Sequence, residues 1–190
     1  MTSNRAWILL AACLMNPVAA ASANVVTDWD EKAVAYIQPR MVPPAAYRAM
    51  AIVHIAMFDA VNSIEPLYRS DQNSSPATKD TSKDAAAAAA AGTVLKNLFP
   101  DAASDIQAAL TSYLAGIPDS DAKSNGIKLG EAVATKCLEG RGSDGASIAD
   151  AYRPVTTAGV YIPTALTVAP QRGGVWTNLG GWGNCDTPSG

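Results

Sequence analysis

Histidine is almost missing from this chain of 190 residues: His54 is the one copy. A zinc site built on several histidines is thereby excluded, and a serine triad has neither a second candidate base nor a G-x-S-x-G turn to carry its nucleophile. No phosphate-binding loop of the G-x-x-x-x-G-K-[ST] kind and no dinucleotide fingerprint occur. Aromatic residues make up only 6%, with two phenylalanines, which argues against a β-sandwich. Fourteen basic residues stand against 17 acidic ones, with no run of either sign. That balance offers no cationic track to a nucleic acid and no polybasic patch to a membrane. The three cysteines, Cys13, Cys137 and Cys185, are too far apart in sequence to form a metal-binding cluster.

What the chain has in quantity is alanine within a composition that is 48% hydrophobic. Its length suits one domain of closely packed helices. Residues 1–23 read as a secretory signal peptide. Arg5 supplies the positive start, Ala6 to Met15 a short apolar run, and Ala21-Ser22-Ala23 the small residues before cleavage at Asn24. The run is too short to span a bilayer as a permanent helix. Export to the periplasm or the extracellular space is expected, with lipid anchoring at Cys13 of Leu10-Ala11-Ala12-Cys13 as the lesser alternative. Of the cysteines that remain, Cys137 is expected as a buried thiol and Cys185 as a thiol in a tail.

The pattern predicts an all-α bundle of about five helices over residues 24–153. The first is capped by Thr27 or Asp28 and runs to about Gln38. The second starts at Pro43-Pro44 and reaches about Glu65. At 100° per residue, Tyr47, Met50, His54, Met57, Phe58 and Val61 share one stripe, with Ala49, Ile52, Ala56 and Ala60 opposite and a polar wedge of Arg48, Asp59 and Asn62. Apolar on most of its circumference, this segment (about 43–65) is expected at the centre of the bundle. Ser82 or Asp84 caps a third helix containing seven consecutive alanines, Ala85 to Ala91, anchored by Val94, Leu95, Leu98 and Phe99. Asp101 opens the fourth. Asp119 caps a fifth reaching about Glu139, with Gly126, Gly130 and Ala134 as a small-residue stripe for a tight crossing. A short helix at about 147–152 precedes residues 154–190, which show no periodicity and read as an extended, irregular tail.

His54 in the apolar stripe has no carboxylate on its own helix within reach, since Asp59 lies about 140° round. The reading is a packed, hydrogen-bonded core histidine, and replacing it with glutamine is expected to damage folding.

Several segments in order resemble a known family. They are Arg48 with AIVHIAMFDAVNSI and Tyr68, DAAAAAAAGTVLKNLFP at 84–100, IPDSDAKSNGIKLGEAVA at 117–134, GSDG at 142–145 and YRPVTTAGVYIPT at 152–164. Together they resemble the N-terminal helical half of bacterial vanadium-dependent haloperoxidase-like proteins, of the type 2 phosphatidic acid phosphatase superfamily. The resemblance implies an exported all-helical protein whose relatives work on vanadate or phosphate held by lysine, arginine and histidine. The family's motifs are Lys-x6-Arg-Pro, Pro-Ser-Gly-His and an Arg…His pair. Here Arg153-Pro154 has Ala146 where the lysine belongs, Pro188-Ser189-Gly190 is followed by no histidine, and His54 falls in the helical segment ahead of the site. The expectation is therefore a truncated or frame-shifted copy with no catalytic, cofactor-binding or metal-ligating residue of its own. It would carry no cofactor in this chain, vanadate belonging to the family's other half. The expected partner is that missing C-terminal half, with a homo-oligomer open, and no nucleic acid or membrane span. Two alternatives stay open: a non-enzymatic exported helical module that binds or scaffolds a partner, and a small metal- or haem-binding protein using His54 and Met50.

Overall fold

A computed structural model describes residues 24–70 and 76–147. All regular structure among them is helical. The helices are α1 (Val25–Ile37), α2 (Pro43–Ile64), α3 (Lys83–Leu98), α4 (Ala103–Ala115) and α5 (Asp121–Gly140), with a 3-10 turn, Pro100–Ala102, feeding α4. The signal segment, the 147–152 helix and the tail lie outside the described residues, apart from Ser147 itself.

Local chemistry sets the helix starts. Asn24, not Thr27 or Asp28, caps α1. Its side chain accepts from the amides of Val26 and Thr27, while the Thr27 hydroxyl accepts from the Asn24 amide at 3.0 Å. Thr27 is thus the returning half of a capping box, and the helix begins three residues earlier than expected. Ser82 caps α3 as expected, accepting from the Ala85 amide at 3.3 Å. Ser120 rather than Asp119 caps α5, accepting from the Lys123 amide at 3.2 Å. Asp119 instead pairs with the Lys123 ammonium at 2.7 Å, one turn on. Asp101 sits in the 3-10 turn instead of opening α4.

The centre of the bundle is α3, and this corrects the placing of α2 there. Helix α3 packs against all four other helices, and Ala85 to Ala91 are each 0% exposed. Only a helix of small girth leaves room for neighbours on every side. Gly92 marks where α1 and α4 close over it: a Cβ there would lie 3.1 Å from Leu110 Cδ2 and 3.4 Å from Trp29 Cη2.

Helix α2 is one of the surrounding helices, and its expected orientation is reversed in part. The side of Ala49, Ile52, Ala56 and Ala60 is the buried one. From the bulky stripe Met57 is buried, but Tyr47 is 66% exposed and Phe58 41%. The small side chains permit close approach to the alanine helix, so they win the inner face.

The tightest contact runs between α5 and α3. A Cβ on Gly126 would fall 2.5 Å from the Ser82 carbonyl oxygen, and one on Gly130 would fall 2.2 Å from the Ala86 carbonyl and 2.9 Å from Ala89 Cβ. Both glycines are buried, as is Ala134, so the predicted stripe is a backbone-to-backbone crossing.

That geometry sets two effects against each other at Gly130. Alanine is the better helix former by about 1 kcal/mol. Overpacking against rigid backbone costs about 1–3 kcal/mol or more. Clash dominates at 2.2 Å, so Gly130→Ala is expected to lower the chemical-denaturation midpoint of the purified protein. An unchanged or raised midpoint would contradict the crossing.

Candidate functional site

Three polar constellations gather on and around α2, and each does structural work. The first is His54. Its Nε2 lies 2.9 Å from Asp30 Oδ1 of α1, the histidine and aspartate side chains being 41% and 47% exposed. The histidine is hydrogen-bonded, as expected, but it is not a core residue. Helical spacing along α2 alone offers it no carboxylate, whereas the α1–α2 hairpin supplies one from 24 residues upstream. An imidazole oriented by a carboxylate is half of a general-base device, which still needs a substrate proton or nucleophile within reach. The sequence reading supplies neither. An exposed pair of this kind contributes about 0–1 kcal/mol, so the expectation that His54→Gln damages folding is withdrawn. Met50 of the histidine–methionine alternative is partly buried and packs against the core.

The second constellation is centred on Arg48. Its Nε donates to Asp144 Oδ2 at 2.8 Å and its Nη2 to the Arg141 carbonyl at 3.1 Å. Asp144 also accepts from the Ala146 amide at 3.1 Å. Burial pushes the Asp144 carboxyl upward. The Arg48 and Ala146 hydrogen bonds and the charges of Arg48 and Arg141 outweigh it and hold the group below the usual carboxylate range. The arginine therefore ties the turn after α5 to the start of α2, across 96 residues of chain.

The third is the expected polar wedge, which the structure turns inward. Asp59 is 0% exposed, and Asn62 is buried beside it. Asp59 Oδ1 accepts from the Ser70 hydroxyl at 2.9 Å, and its carbonyl accepts from the Ser63 hydroxyl. The Asn62 amide donates to the Tyr68 carbonyl and accepts from the amides of Leu67 and Tyr68. These groups fasten the segment after α2 onto the helix.

An oxyanion needs several cationic donors aimed at one point. Among the described residues Arg48 is engaged with Asp144, and Arg40 with Asp101 and the Tyr36 carbonyl. Lys83 pairs with Glu65, Lys96 with Gln107 and Lys123 with Asp119. Each of these five cations thus has a partner of its own. Among the described residues no group of three His, Cys, Asp or Glu is placed to hold a metal ion, and no helix is long and apolar enough to cross a membrane. Among the described residues one shallow open groove lies between α3 and α5 beside Thr93 and Thr135, and another beside Ile117 and Lys123. Cys137 is buried.

Compared with protein-family models, curated proteins and solved structures, the chain matches none.

The Arg48 clamp has a pH signature. A carboxyl held below its unfolded value of about 3.9 adds stability above that value and loses it as pH falls through the folded value. Wild-type stability should therefore drop on acidification below about pH 4 more steeply than that of Asp144→Asn. Arg48→Ala, which strands a buried carboxylate, should cost roughly 3 kcal/mol at neutral pH. Denaturation midpoints at several pH values check both, and parallel profiles would contradict the clamp.

Proposed function

We propose that this chain is the N-terminal helical part of an exported protein of the vanadium-dependent haloperoxidase-like and acid-phosphatase kind, and that it turns nothing over by itself. The ordered set of segments carries the reading. In support, four of them lie wholly or largely within the described residues and act together. Arg48 of the first segment holds Asp144 of the fourth, and Gly126 and Gly130 of the third press against the alanines of the second. The residues that carry the resemblance are thus those that hold the scaffold together, as befits a half whose chemistry lies elsewhere. The histidine reading is in keeping with this, since His54 joins two helices at the surface and faces no converging set of donors.

A second reading, a non-enzymatic exported helical module, is favoured by one observation. Among the described residues four helices pack around the buried alanine hub.

Two measurements test the proposal. The purified chain is assayed with vanadate, peroxide and bromide, and separately with a phosphomonoester; no turnover is expected, and clear turnover in either would overturn the claim of inactivity. The genomic DNA downstream of the Gly190 codon is sequenced as well. A continuing frame encoding Lys-x6-Arg-Pro and Pro-Ser-Gly-His is expected, and its absence would favour the helical module.

A further inference from the structure

Helix α2 has one side in water and almost no charge to put there. Of its 22 residues only Arg48 and Asp59 belong to the lysine, arginine, aspartate and glutamate class. Arg48 is held by Asp144, and Asp59 is buried. A helix on the outside of a protein normally turns its charged side chains outward. The outer row of α2 is instead apolar. Tyr47 and Phe58, both exposed, fall about 20° apart round the helix and about 16 Å apart along it. Between them on that side lie Met50, partly buried, and His54, bonded to Asp30. The turn after α2 adds Leu67 and Tyr68, 69% and 71% exposed. Asn62 fixes that turn: its Nδ2 donates to the Tyr68 carbonyl at 2.8 Å, and its Oδ1 accepts from the amides of Leu67 and Tyr68 at 3.1 and 3.0 Å. The Tyr68 ring meets that of Phe58 at 6.2 Å. Buried hydrogen bonds thus hold an apolar row at the surface, and such rows mark contact sites.

Size, shape and charge all suit a second copy of this chain. Tyr47, Phe58, Leu67 and Tyr68 leave on the order of 450 Å² in water, taking about 200 Å² for a whole aromatic side chain. Two copies contribute about 900 Å² in this way, and the partly exposed His54 and Val61 bring the total to the ~1,000 Å² that a specific interface needs. The row is broad at one end, where Phe58, Leu67 and Tyr68 gather, and narrow at the other, where Tyr47 stands. A two-fold axis through its middle sets the narrow end of each copy on the broad end of the other, the self-matching contact of an isologous dimer. Antiparallel helices also place opposite dipole ends together. Near that axis lie His54 and Asp30, a ring nitrogen and a carboxylate already paired, so no lone charge meets its own image.

We propose that the outer face of α2 is the interface of a homodimer, in which two copies pack antiparallel and Tyr47 of each covers Phe58 and Tyr68 of the other. The proposal does not rest on the haloperoxidase-like reading. It accounts for a feature that reading leaves aside, namely why the bulky side of α2 is turned away from the alanine hub.

Mixed-isotope photocrosslinking of the whole chain tests it. Benzoylphenylalanine replaces Phe58, an exposed side chain, in chains grown in ordinary and in nitrogen-15 medium, and the two are mixed before irradiation. The expected product has twice the mass of the chain and joins position 58 of one isotope to a peptide carrying Tyr47 of the other. Crosslinks confined to single chains, crosslinks between copies that spare the Tyr47 peptide, or no crosslinks would overturn the proposal. Sedimentation equilibrium adds a measurement without the probe. The native chain should sediment as a dimer at about 50 μM. Tyr47→Asp should weaken association about tenfold or more, with an unchanged far-UV circular dichroism spectrum. A monomeric native chain at that concentration, or a folded variant that associates equally well, would also overturn it.

Discussion

The bundle depends on how closely two backbones approach. Where α5 crosses α3, Gly126 and Gly130 bring their backbone within reach of the Ser82 and Ala86 carbonyls, at distances that leave no room for a methyl group. The alanine run on the other side of the contact has nothing larger to withdraw. The rest of the architecture follows from that thin hub. Neighbours can surround α3, α2 is displaced to the outside, and the small side chains of α2 take the inner face while its tyrosine and phenylalanine point away. Dispersion between closely spaced backbones adds to that of large buried side chains such as Trp29, Ile52 and Leu95.

Much of this architecture was legible in the sequence. The number and type of helices, their approximate ends and the close crossing at Gly126 and Gly130 follow from proline positions, capping residues and the spacing of small side chains. The hub is less legible, because hydrophobicity alone does not measure centrality. Helix α2 has the more apolar side chains, but α3 has the smaller ones, and girth decides which helix can be surrounded. The caps of α1 and α5 differ from expectation for a local reason: Asn24 lies three residues before Thr27 and Ser120 one after Asp119, all of them residues that can cap, and only the three-dimensional hydrogen bonds single out one of each pair.

The polar residues were less legible, because their partners come from far away in the chain. His54 finds Asp30 across a helical hairpin, and Arg48 finds Asp144 across most of the described sequence. An arginine within an apolar helix signals that a carboxylate must exist, but not which one. Asp59 and Asn62, which share a polar wedge with Arg48, act as inward anchors for the segment after α2. These constellations share one kind of task. Each fixes one part of a scaffold to another, and none of them gathers cations around an empty point.

The hierarchy of packing can be read directly from native-state amide hydrogen exchange of the whole protein. If the alanine helix is the hub, amides of residues 87–98 exchange slowest of all, at the rate set by global unfolding, and those of α2 and α4 open earlier. Slowest exchange in α2, with the alanine helix opening ahead of it, would contradict the placing of α3 at the centre.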